Sequence, residues 1–308
     1  MAFERVSPES VGIRSEDIRS FLKESYKAGI QLHSFMLIRH GKVAAEGWYH
    51  PYTPDARHII YSFSKTFTQT AIGFAVQEGI LSLDEKLVDL FPEELPEKIS
   101  ENLALADIES LLTMSCGHEA ELTTEDIENR GGNWVKAFFE QPFKYRPHTM
   151  FQYNTTGTDL LCLILMKKTG QTLTQFLTPR LFEPLGIRKP LWEFDPLGYT
   201  FGAGGLFLNA RELHQLGLLY LQEGLWHGKQ LVPSQWVRES SAKQAENGQF
   251  GYGYLFWLGE HNSYRADGKY CQWSVVLRDR DAVITVTAEC RDGERLNRAL
   301  FDEIYPQL

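Results

Sequence analysis

Ser62-Phe63-Ser64-Lys65 opens a segment that reads as a helix from Ser62 to about Glu78. Residues three apart on a helix share a face, so the Lys65 amine falls within reach of the Ser62 hydroxyl. A serine hydroxyl is a poor nucleophile until a neighbour takes its proton, and a partly desolvated lysine can take it. An isolated Ser-x-x-Lys is weak evidence, because the same spacing occurs by chance at solvated helix starts. The flanks give it meaning. His58-Ile59-Ile60-Tyr61 precedes it, and an apolar helix carrying Phe67, Ala71, Phe74 and Ala75 follows.

Upstream, Ser15 to Ala28 reads as an amphipathic helix closed by Gly29. Ser34 to Arg39 and Lys42 to Tyr49 read as a hairpin turning at His40-Gly41. Downstream, helices are expected over Ile108 to Met114, Asn133 to Phe139, Thr156 to Lys168 and Ala210 to Glu223, with another beginning at Ser234. Glu119 to Gly132 is polar and reads as a surface excursion near the mouth of a site. The last third alternates: Tyr252 to Leu258, Ser263 to Ala266, Gln272 to Arg278 and Ala282 to Glu289 read as strands, and Arg295 to Tyr305 as a closing helix. Strands at both ends and helices between them predict an α/β (α+β) domain over 1–308. The economical pairing joins N- and C-terminal strands in one antiparallel sheet. That gives a sheet lobe of about 1–61 and 240–308, and a mainly helical lobe of about 62–239.

A net charge of −9, with no basic block, disfavours nucleic acid as a partner. No leader pattern or spanning stretch is evident, so the expectation is a cytoplasmic enzyme with no membrane partner. Cys116, Cys162, Cys271 and Cys290 are too widely spaced for a Cys-x-x-Cys site and read as reduced thiols. His118-Glu119 lacks a second histidine at helical spacing. No metal or cofactor is expected.

Two further segments follow in the order the chemistry needs. Phe151-Gln152-Tyr153-Asn154-Thr155-Thr156-Gly157 sits before an apolar helix, where Tyr153 could point its hydroxyl into a cleft. Beside a lysine ammonium its phenolate is favoured, so it could relay the serine proton. Ala266-Asp267-Gly268-Lys269-Tyr270-Cys271-Gln272-Trp273 lies between two strands, with an ordinary hairpin turn read at Asp267-Gly268. The strand leaving that turn could aim a backbone N–H at a developing oxyanion, with the Ser62 N–H as the second donor.

Together these segments resemble the serine β-lactamase and penicillin-binding-protein superfamily, and in particular its class C-like branch of β-lactamases, D-peptidases and carboxylesterases. Leu111-Leu112-Thr113-Met114-Ser115-Cys116-Gly117 and Gly202-Ala203-Gly204-Gly205-Leu206 are similar to further family stretches. The resemblance implies a two-lobed fold, an acyl-enzyme on Ser62, and proton transfer by Lys65 and Tyr153. It implies oxyanion donors at the Ser62 and Lys269 backbone, and substrate contacts from Asn154, Thr155, Gly268 and Tyr270. Two departures stand out. The family's usual Tyr-x-Asn reads Tyr153-Asn154-Thr155, and Ala266-Asp267-Gly268 stands where a Lys or His begins the third motif, with Arg265 or Lys269 as substitutes. Both losses favour an esterase or small-amide hydrolase over a β-lactamase or D-alanyl peptidase. A catalytically idle binding relative is the alternative of another class. Ser115 lacks the context of a nucleophile elbow, and neither His148 nor His214 has a recognisable triad partner.

Overall fold

The computed structural model describes residues 3–308. In it α1 (Ser15–Lys27) precedes a hairpin of β1 (Gln31–Arg39) and β2 (Lys42–Trp48). A short β3 (His58–Ile59) leads into α2 (Ser64–Gln77). The helices that follow include α3 (Ile108–Leu112) and α4 (Thr155–Thr169). Then come β4 (Leu191–Trp192), β5 (Leu206–Leu208) and α5 (Ala210–Leu221). The chain closes through β6 (Trp257–Leu258), β7 (Tyr264–Gly268), β8 (Gln272–Leu277), β9 (Ala282–Glu289) and α6 (Gly293–Ala299).

The large sheet is antiparallel in the order β2-β1-β9-β8-β7-β6, so the first hairpin pairs with the last strand, Phe35 opposite Val286 and Leu37 opposite Ile284. The pairing follows from side-chain period. Along β8, Trp273, Val275 and Leu277 pack with the cluster that holds Phe21 of α1 and Leu296 of α6, while Val276 joins the cluster on the opposite face. With both faces covered, β9 is buried from Ala282 to Ala288, Thr285 and Thr287 included. The helix α5 packs on β8, β9 and β1. Ser274 and His214 share the buried Thr285 hydroxyl beneath it, at 3.1 and 2.7 Å. Burial holds the His214 imidazole down to about 3, so it is a neutral packing residue.

Three local expectations are corrected. The Ser62 segment does not begin as an α-helix. Tyr61–Phe63 form a 3₁₀ turn, and α2 starts at Ser64. Tyr61 adopts φ +50°, which is costly for a bulky side chain. The strand expected from Tyr252 shortens to Trp257–Leu258, with Tyr252 making only isolated bridges. The turn expected at Asp267-Gly268 lies later. β7 runs through Gly268, which pairs with Gln272, and Tyr270 and Cys271 supply the left-handed residues at φ +64° and +66°.

That shift explains Gly268. A Cβ there would stand 2.1 Å from the Ile60 carbonyl oxygen, two residues before Ser62. The glycine lets β7 lie directly against the segment that carries the serine. Gly268→Ala is therefore expected to push the two backbones apart. A displacement on the order of 1 Å costs about a hundredfold in a reacting geometry. The rate of fluorophosphonate labelling is the measurement, and an unchanged rate would refute this role.

Candidate active site

A second, small sheet sets the serine in place. β3 pairs with β5, β5 pairs with β4, and the Ile60 N–H donates to Leu206 O at 2.9 Å. The chain leaving β3 must therefore turn within Tyr61–Phe63, where Ser62 stands at the edge of β7. The helix α2 that follows is buried from Ser64 to Ala75. Lys65, in its first turn, is only 1% exposed, so its amine is fixed rather than solvated.

The Lys65 Nζ donates to Ser62 Oγ at 3.1 Å, to Ala203 O at 3.0 Å and to Thr155 Oγ1 at 3.5 Å. Burial lowers its pKa well below the usual lysine value, while Asp159 and Glu121 pull the other way. A larger fraction of the amine is thus free to accept a proton near neutral pH than in an exposed lysine. Tyr153 faces the same pair, with the ammonium 5.0 Å from its ring centroid, and lines the same cleft as Ser62. Its ring stacks on Trp257 at 5.7 Å.

The expected phenolate is corrected. Burial, reinforced by Asp267 and Glu121, raises the Tyr153 pKa above that of an ordinary phenol, outweighing the opposite influence of the nearby Ser62 side chain. The lysine meets the face of the ring, and its hydrogen bonds go to Ser62, Ala203 and Thr155, not to the phenol oxygen. Burial thus favours the uncharged form of both the Lys65 amine and the Tyr153 phenol.

These groups open on a cleft of about 430 Å³. It is lined by Ser62 and Tyr153, by Trp257 and its cross-strand partner Arg265, and by Asp267, Lys269, Gln249 and Glu294. The alternation of β7 explains its share of this lining: Tyr264, Ala266 and Gly268 are buried, so Arg265 and Asp267 face outward together. Arg265 Nε donates to Asp267 Oδ2 at 2.8 Å, and its guanidinium lies 4.7 Å over the Trp273 ring. Trp257 is thus a cleft wall, whereas Tyr264 and Trp273 are packed into the interior. A larger hollow of about 760 Å³, between Leu185, Leu218 and Trp226, carries no nucleophile and base pair.

The remaining predicted contacts divide. Thr155 faces the lysine. Asn154 does not face substrate: it is 2% exposed, its Oδ1 accepts the Gly157 N–H at 2.9 Å as the cap of α4, and its Nδ2 donates to His118 Nδ1 at 3.1 Å. Burial holds His118 down to about 4, so its ring is neutral and can accept that bond. Gly268 and Tyr270 line an adjoining hollow of about 350 Å³ that shares Arg265, Asp267 and Lys269 with the cleft. Tyr270 packs edge-on against Tyr61 at 5.6 Å. Lys269, the expected oxyanion donor, is the first residue past β7, so its N–H belongs to the strand entering the turn and not to the one leaving it.

Two acids were not foreseen. Glu121, in the Glu119–Gly132 excursion, accepts the Thr155 N–H at 2.6 Å. Asp159 accepts the Ala203 N–H at 2.9 Å. The signal for Asp159 was a lone acid in an otherwise apolar helix; Glu121 left none. His148 does have an aspartate partner, with Nε2 3.0 Å from Asp107 Oδ1, but Ser115 bonds Thr113 at 2.6 Å and completes no triad. Cys116, Cys162, Cys271 and Cys290 are buried free thiols. Among the described residues no group of three His, Cys, Asp or Glu could hold a metal, and no helix is long and apolar enough to cross a membrane.

A mixed α/β frame that brings a serine, a buried lysine and a tyrosine together at one cleft has the build of the β-lactamase fold. The chain belongs to the beta-lactamase family, whose sequence pattern it matches over residues 18–305. It is 24% identical over 245 residues to a 6-aminohexanoate-dimer hydrolase of Paenarthrobacter ureafaciens, covering 74% of this chain and 60% of that one. The chain spans only 37% to 60% of the length of the curated relatives it matches here. Similar solved structures include an octameric penicillin-binding protein homologue from Pyrococcus abyssi, at TM-score 0.71 and 18% identity over 92% of this chain and 76% of that one. EstCE1, described as a hydrolase with promiscuous acyltransferase activity, aligns at TM-score 0.75 and 14% identity over 97% and 99%. At these identities the structures speak for the fold alone.

Proposed function

We propose that this protein is a serine hydrolase that forms an acyl-enzyme on Ser62 and acts on esters or small amides. The observation that carries the reading is the 3.1 Å contact between Lys65 Nζ and Ser62 Oγ, made by an amine that burial keeps easy to deprotonate. The neutral amine takes the serine proton as Oγ attacks the substrate carbonyl carbon. The carbonyl oxygen gains the negative charge and is met by the N–H groups of Ser62 and Lys269. Collapse breaks the bond to the alcohol or amine, which leaves with a proton passed from Lys65 by way of Tyr153. Water then attacks the acyl carbon as Lys65 takes its proton; the bond between that carbon and Ser62 Oγ breaks, Lys65 returns the proton to Oγ, and the carboxylic acid leaves.

The small cleft supports compact substrates. The 6-aminohexanoate-dimer hydrolase is by its name an enzyme that hydrolyses a dimer of a small amino acid. A β-lactamase or D-alanyl peptidase is the second reading, and one observation favours it: Arg265 and Lys269 both line the cleft and could meet a substrate carboxylate. Arg265 is already paired with Asp267, which leaves Lys269 alone for that task. The purified protein is expected to hydrolyse p-nitrophenyl butyrate faster than a chromogenic cephalosporin. The reverse order would transfer the assignment to the second reading. Absence of turnover together with absence of fluorophosphonate labelling would point to an idle binding relative.

A further inference from the structure

We propose that Asp159 is a positioning residue for the Lys65 amine and acts through the backbone of Ala203. The inference rests on the reading of Ser62 and Lys65 as nucleophile and base.

Asp159 stands on α4 one turn past Thr155. Its Oδ1 accepts the Ala203 N–H at 2.9 Å, and the carbonyl of the same residue accepts from Lys65 Nζ at 3.0 Å. Carboxylate and amine thus hold opposite ends of one residue. That residue lies in Gly202-Ala203-Gly204-Gly205, a stretch with little intrinsic stiffness. Thr68 Oγ1 on α2 donates to Gly202 O at 2.7 Å, so the stretch is tied to α2 on one side and to α4 on the other. Without the Asp159 bond the Ala203 N–H would lose its acceptor, and the Ala203 carbonyl, otherwise held only through the neighbouring Gly204 N–H bond to Phe201 O at 3.2 Å, would lose one of the ties that aim it at the amine. An acid in a helix whose neighbours Leu160, Leu161 and Leu163 are buried has a desolvation cost, and the Ala203 bond offsets part of it.

The charge acts as well as the bond. The acids that bear on Lys65 are Asp159 from α4 and Glu121 from the excursion, and both favour the protonated amine. Asp195 and Glu121 bear on Asp159 in turn, and burial raises its own carboxyl. Tyr153, raised by burial, presents its ring to the ammonium. Asp159 therefore holds the lysine in place and delays its deprotonation as pH rises.

Two substitutions separate bond from charge. Asp159→Leu removes both, and the plateau rate of fluorophosphonate labelling is expected to fall about tenfold or more through loss of aim. Asp159→Asn keeps an acceptor for the Ala203 N–H, and should restore most of that plateau while moving the rising limb of the pH–rate profile to lower pH. The shift has that sign because the anion that favours protonated Lys65 is gone. A role confined to holding the loop would leave the limb where it is. A full plateau in Asp159→Leu, or an unmoved limb in Asp159→Asn, overturns the proposal. Should Asp159→Leu fail to fold by circular dichroism, the limb in Asp159→Asn decides. If Ser62→Ala is labelled as strongly as the native protein, the underlying assignment fails instead, and that outcome is distinct from either of these.

Discussion

Ser62→Ala is expected to abolish fluorophosphonate labelling and to lower ester turnover by about three orders of magnitude or more, as removal of a nucleophile does when the remaining machinery cannot substitute for it. The substitution deletes one oxygen beside the cleft and leaves α2, its buried face and the β3–β5 pairing intact, so the folded state should survive. Lys65 would lose one of its three hydrogen-bond partners and keep Ala203 and Thr155. The loss is therefore chemical and not conformational, and an unchanged circular dichroism spectrum should accompany it. Equal labelling of variant and native protein would remove Ser62 from the mechanism.

Lys65→Ala is expected to cost on the order of a hundredfold or more in turnover, the scale of lost general-base help. Tyr153→Phe should cost on a similar scale by removing the proton donor opposite it. The native pH profile carries the sharper test. A general base works only when neutral, so the rate should climb with pH through a midpoint below that of an ordinary lysine, because burial lowers the Lys65 pKa. Stability should move in the same direction. Between the lowered folded value and the ordinary unfolded one, the unfolded chain binds more protons at this site, so this site's contribution makes the fold firmer as pH rises. A rate that rises only where free lysine titrates, or that does not change in Lys65→Ala, would assign the base elsewhere.

What the chain disclosed unaided was local chemistry and periodicity. Ser62 and Lys65 are three residues apart, and no fold is needed to bring them within one turn. The two-residue period of β8 and β9 and the hairpin at His40-Gly41 are likewise carried by adjacent residues. The misreadings came where a distant partner decided. Asp267-Gly268 has the composition of a turn, yet Gly268 is required by the Ile60 carbonyl. Asn154 has the composition of a substrate ligand, yet the cap of α4 and the neutral ring of His118 draw it inward. Tyr153 beside a lysine suggested a phenolate, and desolvation, which only packing can impose, reversed the sign. From the sequence alone came the candidate nucleophile, its neighbouring amine and the strands that would form the sheet. The state of that amine, the neutrality of the phenol, and the link from Asp159 through Ala203 to Lys65 were decided by tertiary structure. Each depends on burial and on contacts between residues remote in the chain, and neither quantity is a property of spacing.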